Sequence, residues 1–473
     1  MTRKLEIILA LILVGSSLAF GGVQPIAYSL AEIFIFLILV LFLWNQMRQG
    51  QINLAIPIWP VLFVLWVVIQ LVPLPLSLLS KLSPAHSLTA PWLAANYGSH
   101  WGTLSIYPQA TVLALLKILA YLCVFALGVQ IFDSGRRKSF LVLALISLGC
   151  FEAGYGIVQH LLSWNNIFGM TDPYDFLVAI GTYINRNHFA GLIELTFPFA
   201  FASAFYTYQV WSSQRHRGIS LSSESGEDSS IGFRIVFYLF LAAMMVISVV
   251  FSFSRGGILA VSFALIAMSV LTLFKARKKS WGLVIAGITV LALGFSLWIG
   301  LGGVVHRFEH IGESNYIKAE VRGMIWTDTV QLLRANPVLG TGLGTYGEAL
   351  RPFQTQLVNL HIDHAHNDYL EFACETGIIG FSLLFLPIFY LLIRMTISFL
   401  KDHRRYRRSI LLGCIGSTLA LLIHSFMDFN LQVPANAMIF ALILGIGYKA
   451  ACVEPRKEAQ ELLKTGTEMS AAR

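Results

Sequence analysis

Apolar residues along this chain gather into runs of roughly 17–23, separated by short polar connections, and a helix of that length crosses about 30 Å of hydrocarbon. The pattern predicts spans at 5–22, 27–44, 57–75, 111–132, 139–160, 189–209, 234–252, 256–274, 281–303, 377–399, 409–429 and 434–450. One connection breaks the rhythm. Segment 304–376, between the ninth and tenth spans, is far longer than a connector needs to be, and loops of such length are usually functional or disordered. Within it, from Lys318 to Arg334, the residues Val321, Ile325, Trp326, Val330 and Leu333 recur at helical spacing, which predicts a folded, partly helical loop.

Composition agrees with this reading. The 473 residues are 56% hydrophobic and 12% charged, about half the charged fraction of a soluble domain. The expected fold class is therefore an all-α polytopic membrane protein of about 12 transmembrane helices. It forms one integral unit over 1–473, with a charged tail at 451–473. The first run follows Arg3 and Lys4 like a signal peptide, but it lacks a small-x-small cleavage site and another apolar run follows at once, so a retained helix is expected. The five cysteines show no paired spacing, which argues against a disulfide framework or a thiolate metal site.

Charge orients the bundle. Alternate connections hold Arg3 and Lys4, Arg48, Arg136 to Lys138, Arg215 and Arg217, Lys275 to Lys279, and Lys401 to Arg408, while the other set holds Lys81, Arg186, Arg255 and a few residues in 304–376. The positive-inside rule then predicts cytoplasmic termini and places the long loop on the opposite side. The net charge of +8 is largely this asymmetry, so no nucleic-acid partner is implied. Ser220–Ser230 is a low-complexity polar tract on the cytoplasmic side. On the outer side, 76–110 carries Trp92, Trp101 and Tyr107, as an interfacial loop does, and 161–188 concentrates Asn, Asp and aromatic residues.

Four outer clusters could carry chemistry. Ser254-Arg255-Gly256-Gly257 places an arginine in a tight connection, where it either snorkels or meets an anion, with glycines that let backbone donors approach a phosphate. Arg322 and Trp326 lie one turn apart on the loop helix. Asn336-Pro337 is followed by a glycine-rich run to Gly347 that lacks the lysine of a phosphate-binding loop, so a compact turn is the plainer reading. His361-Ile-Asp363-His364-Ala-His366-Asn367-Asp368 is dense enough for a metal site, an acid–base site or a structural polar cap, although it matches no familiar zinc pattern. Arginines and a histidine on one side suit one problem in particular. A departing diphosphate needs fixed positive charge, and an attacking hydroxyl needs a base.

The ordered set of motifs resembles the O-antigen ligase/polymerase family of bacterial envelope glycosyltransferases. The resemblance rests on Asn185-Arg186-Asn187-His188-Phe189-Ala190-Gly191, Ser254-Arg255-Gly256-Gly257, Arg322-x-x-x-Trp326, Asn336-Pro-x-x-Gly-x-Gly-x-Gly344, and His366-Asn367 followed by Gly377-x-x-Gly380. It implies a GT-C-like bundle in the bacterial inner membrane with a periplasmic active site. The implied reaction is inverting, metal-independent transfer of a glycan from undecaprenyl diphosphate, with no cofactor, to a hydroxyl of lipid A core or of another glycan. By the same resemblance Arg255 and Arg322 hold the diphosphate, and His366 is the base or positioning group for the acceptor. Asn185, Asn187, His364, Asn367 and Trp326 are expected to line the substrate pocket. Phe381 stands where ligases often carry Gly, Thr or Tyr, so polymerase and ligase both stay open. Two rival readings are a lipid-linked-sugar transporter, for which Lys117 is the main charge within a span, and a metal-dependent hydrolase using His361, Asp363, His364, His366 and Asp368.

Overall fold

The computed structural model describes residues 2–50, 56–83, 100–130, 135–164, 166–171, 177–216, 227–275, 314–355 and 360–454. Outside them lie the expected 281–303 span, the start of the long loop, Trp92, most of the Ser220–Ser230 tract and the tail beyond 454. Among the described residues the fold is helical, with two short two-stranded pairings. Helices α1 (Thr2–Leu18), α2 (Pro25–Arg48) and α3 (Ile58–Leu71) lead into a short α4 (Leu76–Leu82). Then come α5 (Pro108–Gln130), α6 (Gly135–Leu161), α7 (Arg186–His216), α8 (Glu227–Phe251) and α9 (Arg255–Lys275). The long loop supplies α10 (Ser314–Ala335) and α11 (Tyr346–Leu350), and α12 (Asp368–Lys401), α13 (Arg405–His424) and α14 (Pro434–Tyr448) complete the bundle.

Every expected span that falls within the described residues has a helix. Nine of these helices are long and apolar enough to cross a membrane. The other two are shorter, α1 at 17 residues and α3 at 14. The boundaries differ from the hydropathy reading in two places that matter. Helix α12 begins at Asp368, nine residues before the expected span, because Asn367 caps it by accepting a hydrogen bond from the Leu370 N–H at 3.1 Å. Helix α13 stops at His424, so 425–429, expected as the end of a span, is an irregular turn at the bundle's end.

Burial separates inner from outer helices. The apolar windows of α7 and of the α14 segment are each 89% buried, whereas that of α2 is 22% buried and carries exposed Ile26, Leu30, Ile33 and Phe34. Those exposed faces are what a hydrocarbon solvent would wet. Helices α5 and α14 approach closely through small residues: a Cβ on Gly445 would stand 2.4 Å from the Phe125 carbonyl oxygen, and one on Gly128 3.1 Å from that of Leu442. Any larger side chain at Gly445 would push the two helices apart.

The long loop folds around a core of its own. Ile325, Leu332, Tyr346, Ala349, Leu350, Ile362, Ala365 and Cys374 pack together, with Val321, Trp326 and Leu333 at the margin. The stripe expected on α10 is displaced, since Asp328 and Thr329 are fully buried between Ile325 and Leu332 while Val330 is half-exposed. These polar residues are buried because each has a partner. Asp328 accepts from the Thr355 hydroxyl at 2.8 Å, and the Thr329 hydroxyl meets that of Tyr346 at 2.7 Å.

The glycine-rich run is the compact turn that its lack of lysine suggested. Gly340, Gly342 and Gly344 all have positive φ. Thr341 and Gly342 donate their N–H groups to the carbonyls of Cys374 and Glu375 at 3.0 and 2.8 Å. Gly377 breaks α12 at φ 62° and ψ −176°, where its missing side chain lets Val338 pass. A Cβ on Gly380 would stand 2.7 Å from the Trp66 indole, whose Nε1–H donates to the Thr376 carbonyl at 2.9 Å. The Gly-x-x-Gly pair thus seats the loop on the bundle.

Candidate active site

Three helix N-termini meet the turn between α13 and α14. At α7, Asn185 accepts from the Asn187 N–H at 2.8 Å, and Asn187 in turn donates through its amide to Asp428. At α9, the Ser254 hydroxyl accepts from the Gly257 N–H at 3.2 Å, so Arg255 is the first helical residue. Gly256 beside it lies against His424 and Met427, where a Cβ would stand 2.7 Å from the His424 ring. At α12, the Asp368 N–H donates to the Ser425 carbonyl at 2.9 Å. Each N-terminus carries partial positive charge and N–H groups outside the helical ladder, which makes the place suited to an anion.

Asp428 is the hub. It is fully buried and accepts from its neighbour's Phe429 N–H at 2.9 Å and from Asn187. The His366 Nδ1 stands 3.4 Å from Oδ1, and the His188 Nε2 3.9 Å. Burial alone would raise the carboxyl pKa. The hydrogen bond from His366 and the charges of His188, His366 and His424 outweigh it and hold Asp428 well below the usual carboxylate range. It is therefore a permanent anion at neutral pH.

Phe429 gathers the imidazoles. His364 stacks on its ring at 4.1 Å between centroids, and His188 and His366 approach it edge-on at 4.7 and 5.0 Å. Two loop contacts set the positions of His364 and His366. Trp326 donates from Nε1 to the Ala365 carbonyl at 2.9 Å, and Glu371 takes the Ala365 N–H and the His364 Nδ1, both at 2.8 Å. With Ala365 pinned, His366 adopts φ 49°, an uncommon conformation for a non-glycine residue that the surrounding contacts have to hold. His366 keeps 32% of its side chain exposed, so one face of the ring reaches solvent. For His364, burial pulls the pKa down. The Glu371 carboxylate, by charge and hydrogen bond, reverses this with help from Glu375 and Asp363, and the result is a rise to about 8.

The residues expected for chemistry are only partly brought together. His366, Asn187 and His364 converge on Asp428–Phe429. Arg322 lies close enough to act electrostatically on His424, and exposed Arg255 adjoins Gly256 over the same histidine, so both arginines border one segment. Asn185 and Asn367 serve as helix caps, and Trp326 acts through Ala365. The five residues of the hydrolase reading diverge: His361 pairs with Asp363 at 2.7 Å, His364 with Glu371, His366 with Asp428, and buried Asp368 with Ser425.

Asp428, His424 and Glu194 did not stand out in the sequence, and His188 entered only as part of the Asn185–Gly191 motif, with no role of its own. His424 and Glu194 are fully buried and meet in an ion pair at 2.8 Å. An acid at the foot of an apolar run was the one available signal, because a charge there usually has a function.

The geometry can be compared with known families. Residues 240–385 match the family model of O-antigen ligase. No curated protein matches the chain. The matched segment, less than half of the chain, holds Arg255, Arg322 and His366 among helices that make this an integral membrane protein, and the match supports its likeness to the O-antigen ligase/polymerase family.

Proposed function

We infer that the protein transfers a glycan from an undecaprenyl-diphosphate carrier to an acceptor hydroxyl, on the periplasmic face of the bacterial inner membrane, as a surface-polysaccharide ligase. The observation that carries this reading is the His366–Asp428 contact beside a helix terminus bearing Arg255. With Nδ1–H directed at a permanent carboxylate, the tautomer leaves Nε2 as the basic atom, and Asp428 stabilises the imidazolium that forms. The acceptor oxygen attacks the anomeric carbon as its proton passes to Nε2. The bond from that carbon to the diphosphate oxygen breaks on the opposite face, which inverts the configuration. Arg255, Arg322 and the helix N-termini take up the charge that develops on the diphosphate. No step requires a metal.

The test uses Arg255→Ala, Arg322→Ala and His366→Ala, each checked for insertion and thermal stability, with transfer measured from a lipid-diphosphate glycan. All three should fall below about 1% of wild type. Wild-type transfer by the His366 variant would overturn the assignment. Repeat-unit polymerisation by the same residues is the second reading, left open by Phe381, which packs on Phe385 at 4.8 Å and Tyr369 at 6.4 Å. A deletion strain separates the two. Unattached full-length glycan on its carrier indicates a ligase, and acceptor bearing a single repeat unit indicates a polymerase.

A further inference from the structure

A polar cavity of about 240 Å³ lies beside the site, between α5, the loop and the first turns of α12. Its wall includes Lys117 and Tyr28 on one side and Asp363, His364, Glu371 and Glu375 on the other. The Lys117 ammonium sits over the Tyr28 ring, 4.4 Å from its centroid. Lys117, the charge that suggested a transporter, therefore lines a chamber that shares a wall with the candidate active site. His364 is the shared wall, since its ring stacks on Phe429 and also lines the chamber.

Most polar atoms here are occupied. Glu371 is engaged by His364 and the Ala365 N–H. Glu375, only 2% exposed, uses Oε1 to accept the Tyr346 N–H at 3.0 Å, but Oε2 has no hydrogen bond. A buried carboxylate oxygen left without a donor is costly, and a ligand that brought a hydroxyl or ammonium hydrogen would relieve that cost. The chamber sets Asp363, Glu371 and Glu375 against Lys117 and His364, and its unpartnered Glu375 oxygen favours a ligand that brings hydroxyl or ammonium hydrogens over one that brings a phosphate's acceptor oxygens.

We propose that this chamber is the acceptor subsite, holding one terminal sugar ring through its hydroxyls and selecting neutral or amino sugars over phosphorylated or uronic ones. The assignment rests on the transferase reading above. The volume is near the lower end, about 300 Å³, of typical small-molecule sites, which suits one ring better than an extended chain. Glu375 and Glu371 lie one helical turn apart on α12 and present both carboxylates to the same space. Lys117 reaches in from α5 as a donor to ring or hydroxyl oxygens.

Full-length protein in lipid nanodiscs is to be tested by saturation-transfer NMR with methyl glucoside, methyl glucosaminide and glucose 6-phosphate. The first two should bind, and the third at least fivefold more weakly. Glu375→Gln and Lys117→Met should each weaken binding of methyl glucoside at least fivefold. Asp363→Asn, on the exposed rim, leaves the packed wall intact and should narrow the preference against the phosphate at least threefold. Equal or tighter binding of glucose 6-phosphate would overturn the proposal, as would wild-type binding in the Glu375 and Lys117 variants with an unchanged preference in Asp363→Asn. Arg255→Ala, which should abolish transfer, should leave sugar binding intact. If Arg255→Ala and His366→Ala transfer normally, the transferase reading fails, whereas sugar binding insensitive to Glu375 removes the subsite alone.

Discussion

Replacing Asp428 by asparagine keeps the shape and removes the charge. At 3.4 Å from the His366 Nδ1, a carboxylate and an imidazolium attract by about 5 kcal/mol gross at an effective dielectric near 20. Solvent exposure of the ring reduces this, and charge-assisted hydrogen bonds contribute about 1.5–3 kcal/mol net. The loss concentrates in the transition state, where the imidazole has gained its proton. About 2–4 kcal/mol there corresponds to roughly a 30- to 1,000-fold fall in kcat. The asparagine has one acceptor oxygen, and keeping it toward the Asn187 amide turns its NH₂ toward His366 Nδ1, which favours the wrong imidazole tautomer. The assay is steady-state transfer by purified enzyme over a range of lipid-diphosphate donor concentrations. The KM for donor should change less than threefold, because Asp428 is placed to act on the base and not on the diphosphate. A kcat within threefold of wild type would refute the role, and a loss confined to donor KM would reassign Asp428 to donor binding.

Further outcomes follow from the same contacts. Gly377→Ala puts a side chain at φ 62° with its Cβ 2.1 Å from the Val338 carbonyl oxygen, and should cost about 2–4 kcal/mol, read as a lowered thermal midpoint. Trp326→Phe removes the 2.9 Å bond to Ala365 and should lower kcat about 2- to 10-fold with little change in stability, and an unchanged kcat would free His366 from that tether. Glu371→Gln tests the His364 pair. A pKa raised to about 8 contributes stability that is fully present below pH 6.5 and lost as pH rises through 8, so the variant's melting deficit should be larger at pH 6 than at pH 9. With His364 34% exposed, that difference is on the order of 1 kcal/mol after solvent screening. A deficit independent of pH would show that Glu371 acts only through the Ala365 N–H.

Hydropathy located the helices well because lipid-facing and core-facing residues are both apolar, and a window average detects either. That averaging also hid the site's hub. The run into Ser425-Phe426-Met427 reads as the end of a span, yet α13 stops at His424 so that its last turn and Asp428 can meet His366. No windowed property distinguishes an acid that ends a helix from one that orients a base. The distinction comes from residues 62 positions away in the chain. Arg255, Arg322 and His366, picked out by motif order, belong to elements that border one turn.

The same motifs overstated how much of the signature is chemistry. Asn185 and Asn367 cap helices, and Gly377 and Gly380 seat the glycine-rich turn against α12 and Trp66. They matter to the reaction through placement. If α12 were not capped by Asn367 and broken at Gly377, Glu371 would not reach Ala365, and His366 would lose the contact that holds it at φ 49° over Asp428. A histidine strained into position by its own loop and read out by a buried carboxylate from the next turn makes the base sensitive to anything that shifts the loop.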